Sequence, residues 1–314
     1  MGDESLIELK DVTKKFNKNT VLDGISLSIP KGKIFGVIGR SGCGKTTLLN
    51  TMIGFVKPNK GDILFNNKNI FKEMKDVEEL FGFASQDFSF YEELTVKENL
   101  EYFSKLYGLK KKSINNKVIE LLKLVGLEDS RNKISRELSS GMKRRLDIAC
   151  SLVHEPKVLL LDEPTQDLDP LLRREILKLI QKINKDGTTV IITTHLLGEI
   201  DHLCDQVAIL NNGKVAKINS PNELVQDITK NKMITIETAS RKYDYIIKRL
   251  RTLRLVDHAI ESENRLIIHT PKPQIALDAV IKTAKVNKDQ LSFVQLSKPS
   301  LDDVFESVMM ESKA

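Results

Sequence analysis

The chain has no apolar run approaching the roughly 20 residues that a membrane-spanning helix needs. Candidates such as "VLLL" (158–161) and "VII" (190–192) have the length of core strands. It is therefore not expected to cross a membrane by itself. Cysteine is scarce: Cys43, Cys150 and Cys204 stand apart without CxxC spacing, which argues against a disulfide framework or a zinc site and suits a reducing, cytosolic compartment. The start "MGDESLIELK" lacks the basic flank and apolar stretch of a secretory signal. Leu6 also stands where a myristoylation pattern needs Ser or Thr. Internal repeats and low-complexity segments are absent. The net charge of +6 is spread among acids, with "GLKKKS" (108–113) a short cluster, so no nucleic-acid partner is expected.

What is present suggests about two globular domains: 314 residues, 40% hydrophobic and 29% charged. "SLIELKDVTKKF" (5–16) and "TVLDGISLSIP" (20–30) alternate in strand fashion, the second closing on a turn at Pro30–Gly32. "KIFGVIG" (33–39) is a short apolar strand that runs into a glycine-rich turn and then a helical pattern, "KTTLLNTMIGF" (45–55). From about Val77 to Cys150 the pattern is mostly helical, with apolar residues at i, i+3 and i+4 in "VKENLEYFSKLYGL" and "NNKVIELLKLVGL". "KVLLLDEPT" (157–165) and "TTVIITTH" (188–195) are continuously apolar strands separated by a helix, the pattern of a parallel sheet buried on both faces. "QVAILNNGKVAKINS" (206–220) reads as a hairpin. Beyond Pro221 the order is βαββαβ, the ferredoxin-like arrangement, followed by a short helix, "SLDDVFESVMM".

The expected fold is thus α/β, with a mostly parallel core sheet, an N-terminal antiparallel β region and an inserted α-helical subdomain at about 88–150. This first domain spans 1–220, and a small α+β accessory domain spans 221–314.

"GRSGCGKTT" fits G-x-x-x-x-G-K-[ST] in the required strand–loop–helix context of a P-loop NTPase. Its residues Gly39, Arg40, Ser41, Gly42, Cys43, Gly44, Lys45, Thr46 and Thr47 are the candidate phosphate cradle, because the glycines let backbone N–H groups and a helix start point at negative charge. Lys45 suits the β and γ phosphates, and the Thr46 hydroxyl suits Mg²⁺. "KVLLLDEPT" ends a strand in Asp162, a candidate Mg²⁺ holder, and Glu163, a candidate general base for an attacking water. His195 ends the strand "TVIITTH", where it can reach a γ-phosphate. A second helix start, "LSSGMKRRLDIA" (138–149), also looks built for an anion. At least some of Lys143, Arg144 and Arg145 are expected to face solvent or a partner.

Together, "GRSGCGKTT", Gln86 in "FASQD", "LTVKENL", "LSSGM", "LLLDEPT", Asp169 and His195 resemble, in order and over about 220 residues, the ATP-binding subunit of ABC transporters. "PSLDDVF" (299–305) resembles the ending of exporter-type subunits with an extra C-terminal domain. The resemblance implies an ATPase with ATP and Mg²⁺ as cofactors, a second ATP-binding subunit and a multi-span membrane permease as partners, and a place on the cytoplasmic face of the membrane. It implies adenine stacking by Phe16, contact of Gln86 with Mg²⁺ and the attacking water, and a histidine switch at His195. It further implies that Ser139 and Gly141 contact the nucleotide of a head-to-tail partner, and that Asp169 lies at the dimer interface. Ser140 and Met142 replace Gly and Gln of the usual LSGGQ, and Asp167 stands where Gly or Ala is usual. A soluble ABC-type ATPase acting on ribosomes or nucleic acid, a weakly hydrolysing regulatory cassette, and a GTPase or kinase sharing only the phosphate loop are the alternatives.

Overall fold

The computed structural model describes residues 4–74, 77–228, 232–256, 258–262, 264–297 and 300–311. The first three residues of the N-terminal reading, Glu263 and Pro299 lie outside the described residues. The chain divides into two compact units, 1–221 and 222–314.

In the first unit, β1 (Ser5–Phe16) and β2 (Asn19–Pro30) pair antiparallel; β2 buries alternate residues from Ile25 to Ile29, while register shifts along β1 leave neighbours such as Leu6 and Ile7 both buried. β3 (Ile34–Ile38) is buried along its whole length and leads through a loop into α1 (Lys45–Met52). β4 (Lys60–Phe65) and β5 (Lys68–Asn69) complete a four-stranded sheet in the order β2, β1, β4, β5. Then come β6 (Phe81–Ala84) and the helices α2 (Val96–Leu106), α3 (Lys111–Val125) and α4 (Ser140–Ser151). β7 (Val158–Asp162), α5 (Pro170–Lys185), β8 (Thr189–Thr194), β9 (Gln206–Asn211) and β10 (Lys214–Asn219) follow.

The second sheet has the order β10, β9, β3, β8, β7, β6; neighbours from β9 to β6 run parallel, and β10 pairs antiparallel with β9 as the hairpin pattern requires. Val158, Leu159, Leu160 and Leu161 of β7 are completely buried. At about 1.5–3 kcal/mol gross for each such side chain, they anchor the strand that ends in Asp162. β6 is a strand inside a stretch that sequence periodicity reads as helical. With four residues it is too short for its alternation to register, and pairing with β7 decides its state.

The helical segment has strong local signals. Thr95 caps α2 in a capping box: its hydroxyl accepts the Glu98 N–H at 3.2 Å, while the Glu98 carboxylate accepts the Thr95 N–H at 2.8 Å. α3 stops at Gly126, which takes the left-handed conformation at φ +67°.

α6 (Pro221–Ile228) leads into the second unit, which contains β11 (Lys232–Thr238), α7 (Asp244–Thr252), β12 (His258–Ser262), β13 (Arg265–Thr270), α8 (Pro273–Val286), β14 (Leu291–Ser297) and α9 (Leu301–Glu311). Its antiparallel sheet is ordered β12, β13, β11, β14, the pairing of a βαββαβ chain in which the first and third strands lie centrally. Ile234, Ile236, Leu266 and Ile268 of the central strands share one core with Ile246 and Leu250 of α7 and Ala276 and Val280 of α8. The period of 2 in the strands and the helical spacing of the helices bring these residues to a common interior.

Candidate functional site

The strands β3, β8, β7 and β6 are consecutive neighbours in the parallel sheet, so their C-terminal ends form one edge, where α/β folds bind ligands. β3 delivers the loop 39–44 there, β7 delivers Asp162 and Glu163, β8 delivers His195, and β6 delivers Gln86. Only glycine fits two positions of the loop. A Cβ on Gly39 would lie 2.5 Å from the Leu210 carbonyl oxygen, and Gly44 has φ +110° with a Cβ position 2.9 Å from the Val21 carbonyl oxygen. No side chain caps α1 at Gly44, which leaves its first-turn N–H groups free to face an anion.

Lys45 is 6% exposed. Its ammonium donates to the carbonyls of Gly39 at 2.9 Å and Arg40 at 3.3 Å, and lies 3.1 Å from Glu163 Oε1. Glu163 Oε2 bonds His195 Nδ1, so one carboxylate ties the phosphate-loop lysine to the histidine. The Thr46 hydroxyl donates to Asp162 Oδ2 at 2.7 Å, and the Thr193 hydroxyl donates to Asp162 Oδ1. Glu163 itself has φ +50°, a strained conformation for a side-chain-bearing residue. Its N–H donates to the Thr193 carbonyl at 3.1 Å and the Thr193 hydroxyl at 3.0 Å, so β8 holds it there.

Gln86, exposed beyond β6, donates through Nε2 to Gln166 Oε1 at 3.0 Å. Arg40 and Ser41 are exposed, while Thr47 is half-buried on α1. Burial raises the Cys43 thiol above its ordinary pKa, with the nearby Lys45 charge opposing, so this loop cysteine is no poised thiolate. The Phe16 ring is 47% exposed, with Lys14 Nζ 4.9 Å from its centroid.

Ser139, Gly141 and Asp169 head helices instead. Ser139 is the N-cap of α4, and its hydroxyl accepts the Met142 N–H at a long 3.4 Å. Asp169 caps α5, accepting the N–H groups of Leu171 at 2.9 Å and Leu172 at 3.0 Å. Gly141 faces Leu172 closely: a Cβ there would lie 3.0 Å from Leu172 Cδ2. Ser140 sits inside α4, where no glycine-like φ is required. Asp167, by contrast, has φ +59°, a left-handed conformation that glycine adopts freely and Asp tolerates better than most side chains.

The three cations after the second helix start are all engaged by the chain itself. Lys143 bridges to Glu92 at 2.9 Å, Arg145 to Glu175, and Arg144 is 4% exposed beside Asp147. Gln166 and Thr193 are the site residues that sequence reasoning missed, and Arg144 it read only as one of three cations at a helix start. Each acts through a contact made only in the folded chain.

The arrangement presents an anion cradle, a lysine, a hydroxyl–carboxylate pair and a carboxylate–histidine pair along one sheet edge. The ABC transporter family model matches residues 22–166. The linearmycin resistance ATP-binding protein LnrL of Bacillus subtilis (strain 168) is 30% identical over 302 residues, covering 96% of this chain and 97% of the relative. The daunorubicin resistance ATP-binding protein DrrA3 of Streptomyces coeruleorubidus is 31% identical over 303 residues, covering 96% and 95%. Among solved structures, the dimeric post-hydrolysis state of the ATP-binding cassette MJ0796, bound to ADP and Pi, superposes with a TM-score of 0.61 at 28% identity, covering 68% of this chain and 98% of that one. On the motifs, the fold and these likenesses, the chain belongs to the ATP-binding subunits of ABC transporters, whose ATP hydrolysis is coupled to transport.

Proposed function

We propose that this subunit powers an exporter, with two copies or close relatives closing head to tail around ATP. The observation that carries the ATPase roles is the convergence of Lys45, Thr46, Asp162, Glu163 and His195 at one sheet edge. Export is supported by the two relatives named as resistance proteins, which match nearly the whole chain, second unit included. The loop amides and Lys45 bind the phosphates, and Phe16 offers a ring to adenine. Glu163 takes the proton of the attacking water, Gln86 orients that water, and His195 holds Glu163 and donates to the γ-phosphate. Ser139 and Gly141 of one copy face the nucleotide of the other, with the α4 dipole adding favourable charge, and Asp169 borders that interface.

Mg²⁺ fits the donors present. Thr46 and Asp162 supply hard oxygens 2.7 Å apart, with Gln86 at the neighbouring strand end. Magnesium ordinarily takes one or two carboxylates together with substrate phosphates. When bound, it would neutralise charge on the β and γ phosphates.

Among the described residues no helix is long and apolar enough to cross a membrane. Attachment to a multi-span permease on the cytoplasmic face is supported by an aromatic surface beside the helical segment. Phe55 (70% exposed), Phe88, Tyr91 and Tyr102 are exposed near a cleft of about 200 Å³ lined by Ile53, Phe83, Phe103 and Tyr107. Clustered exposed aromatics mark interaction sites. Phe55→Asp is expected to weaken co-purification with the permease by ~2 kcal/mol or more, about 30-fold in affinity. ATP binding by the isolated subunit should be unchanged, and retention of the complex would remove this surface from the reading.

Residues 222–314 are proposed as an accessory unit serving dimerisation or regulation. A chain ending at residue 221 is expected to keep ATP-dependent thermal stabilisation. Its loss on truncation would overturn the proposed boundary.

A further inference from the structure

The segment 85–89, which carries Gln86, is gripped from one side by α4. Arg144 donates from Nη1 to the Ser85 carbonyl at 2.7 Å and from Nη2 to the Gln86 carbonyl at 3.0 Å. Its guanidinium carbon lies 4.9 Å from the Phe88 ring centroid. One turn along, Asp147 accepts the Ser89 N–H at 2.9 Å and lies 3.4 Å from Arg144 Nη1. The Arg144 and Asp147 side chains are 5% and 0% exposed, so the segment is held from its buried side. Burial pushes the Asp147 carboxyl up to about 6, against the Ser89 N–H and the Arg144 charge, so it is still ionised near neutrality. Breaking such a pair would strand a buried charge, which makes the grip stiff.

We infer that Arg144 and Asp147 are positioning residues for Gln86, fastening its segment to α4 so that Gln86 moves as one body with the Ser139–Gly141 helix start. The inference rests on the proposed roles of Gln86 and of that helix start. The same helix then serves two nucleotides: its N-terminus faces the partner's ATP, and its second turn places the glutamine of its own site. Engagement at one site thereby sets the geometry of the other, and hydrolysis becomes cooperative in ATP. The guanidinium binds the two carbonyls through two different nitrogens while its carbon lies over the Phe88 ring, a planar fixed geometry that an ammonium lacks.

The test compares steady-state hydrolysis by the full-length chain with Arg144→Met, Arg144→Lys, Gln86→Ala and the Arg144→Met/Gln86→Ala pair, with folding followed by circular dichroism. Arg144→Met is expected to lower kcat on the order of 10- to 100-fold, the scale of a 1 Å misplacement, with little change in KM for ATP and loss of cooperativity. Arg144→Lys should fall between it and the parent. The double variant should be no slower than Gln86→Ala alone, because both changes remove one contribution. Multiplying effects, parental kcat in both Arg144 variants, or failure of both to fold would each overturn the inference. If Gln86→Ala turns over like the parent, the role given to Gln86 falls first, and the inference with it.

Discussion

Glu163→Gln is expected to lower steady-state ATP hydrolysis by about 10²- to 10⁴-fold, the range a positioned general base contributes, while ATP binding tightens. The two effects have separate causes. An amide has no carboxylate to accept the proton of water, so the chemical step slows. The carboxylate also lies 3.1 Å from the Lys45 ammonium, so it competes with a γ-phosphate for that cation. Glutamine keeps the shape and can still bond His195, but it carries no charge against Lys45. ATP binding then meets less competition, and the head-to-tail dimer should persist with ATP and Mg²⁺ present. Single-turnover phosphate release and gel filtration with ATP check the two halves independently. Hydrolysis at the parental rate would sink the assigned base, and an unchanged ATP affinity would sink the competition argument.

Much of the core was legible because buried parallel strands have to be apolar on both faces. "VLLL" and "VII" therefore identified β7 and β8, and their C-terminal ends located Asp162, Glu163 and His195. The order of the second unit was legible from alternation between periods of 2 and 3.6. β6 was not, since four residues give no periodicity and pairing with β7 supplies the strand state. Arg144 reads as one of three cations on a helix face, expected in part to meet solvent or a partner. Its burial depends on where the 85–89 segment lies, and that is a tertiary fact. Gln166 shows the same limit: nothing in "EPTQDLD" announces an amide bonded to Gln86, 80 positions away. Backbone conformation was only partly legible. Ser140 replaces a family glycine yet lies within α4, whereas Asp167 bears the left-handed φ.

Lys45→Ala should act in the opposite direction to Glu163→Gln, weakening ATP about 10- to 100-fold through loss of a charge-assisted bond of about 1.5–3 kcal/mol. Lys45 is nearly buried, and its partners are two loop carbonyls and Glu163, itself only 12% exposed at the side chain. Alanine leaves those acceptors without their cation and leaves Glu163, already at φ +50°, tied to His195 alone of its two side-chain partners. The variant is thus expected to lose stability before any nucleotide is added. Ligand linkage separates that loss from the binding loss, since ATP at 100 times Kd stabilises the folded state by about 2.7 kcal/mol. At the same ATP concentration, a variant binding 100-fold more weakly gains only about 0.4 kcal/mol. Thermal unfolding with and without ATP should therefore show a large upward shift for the parent, a larger one for Glu163→Gln and almost none for Lys45→Ala. Equal shifts in the parent and Lys45→Ala would mean that the ammonium does not hold the phosphates, leaving the binding energy to the loop amides and the start of α1.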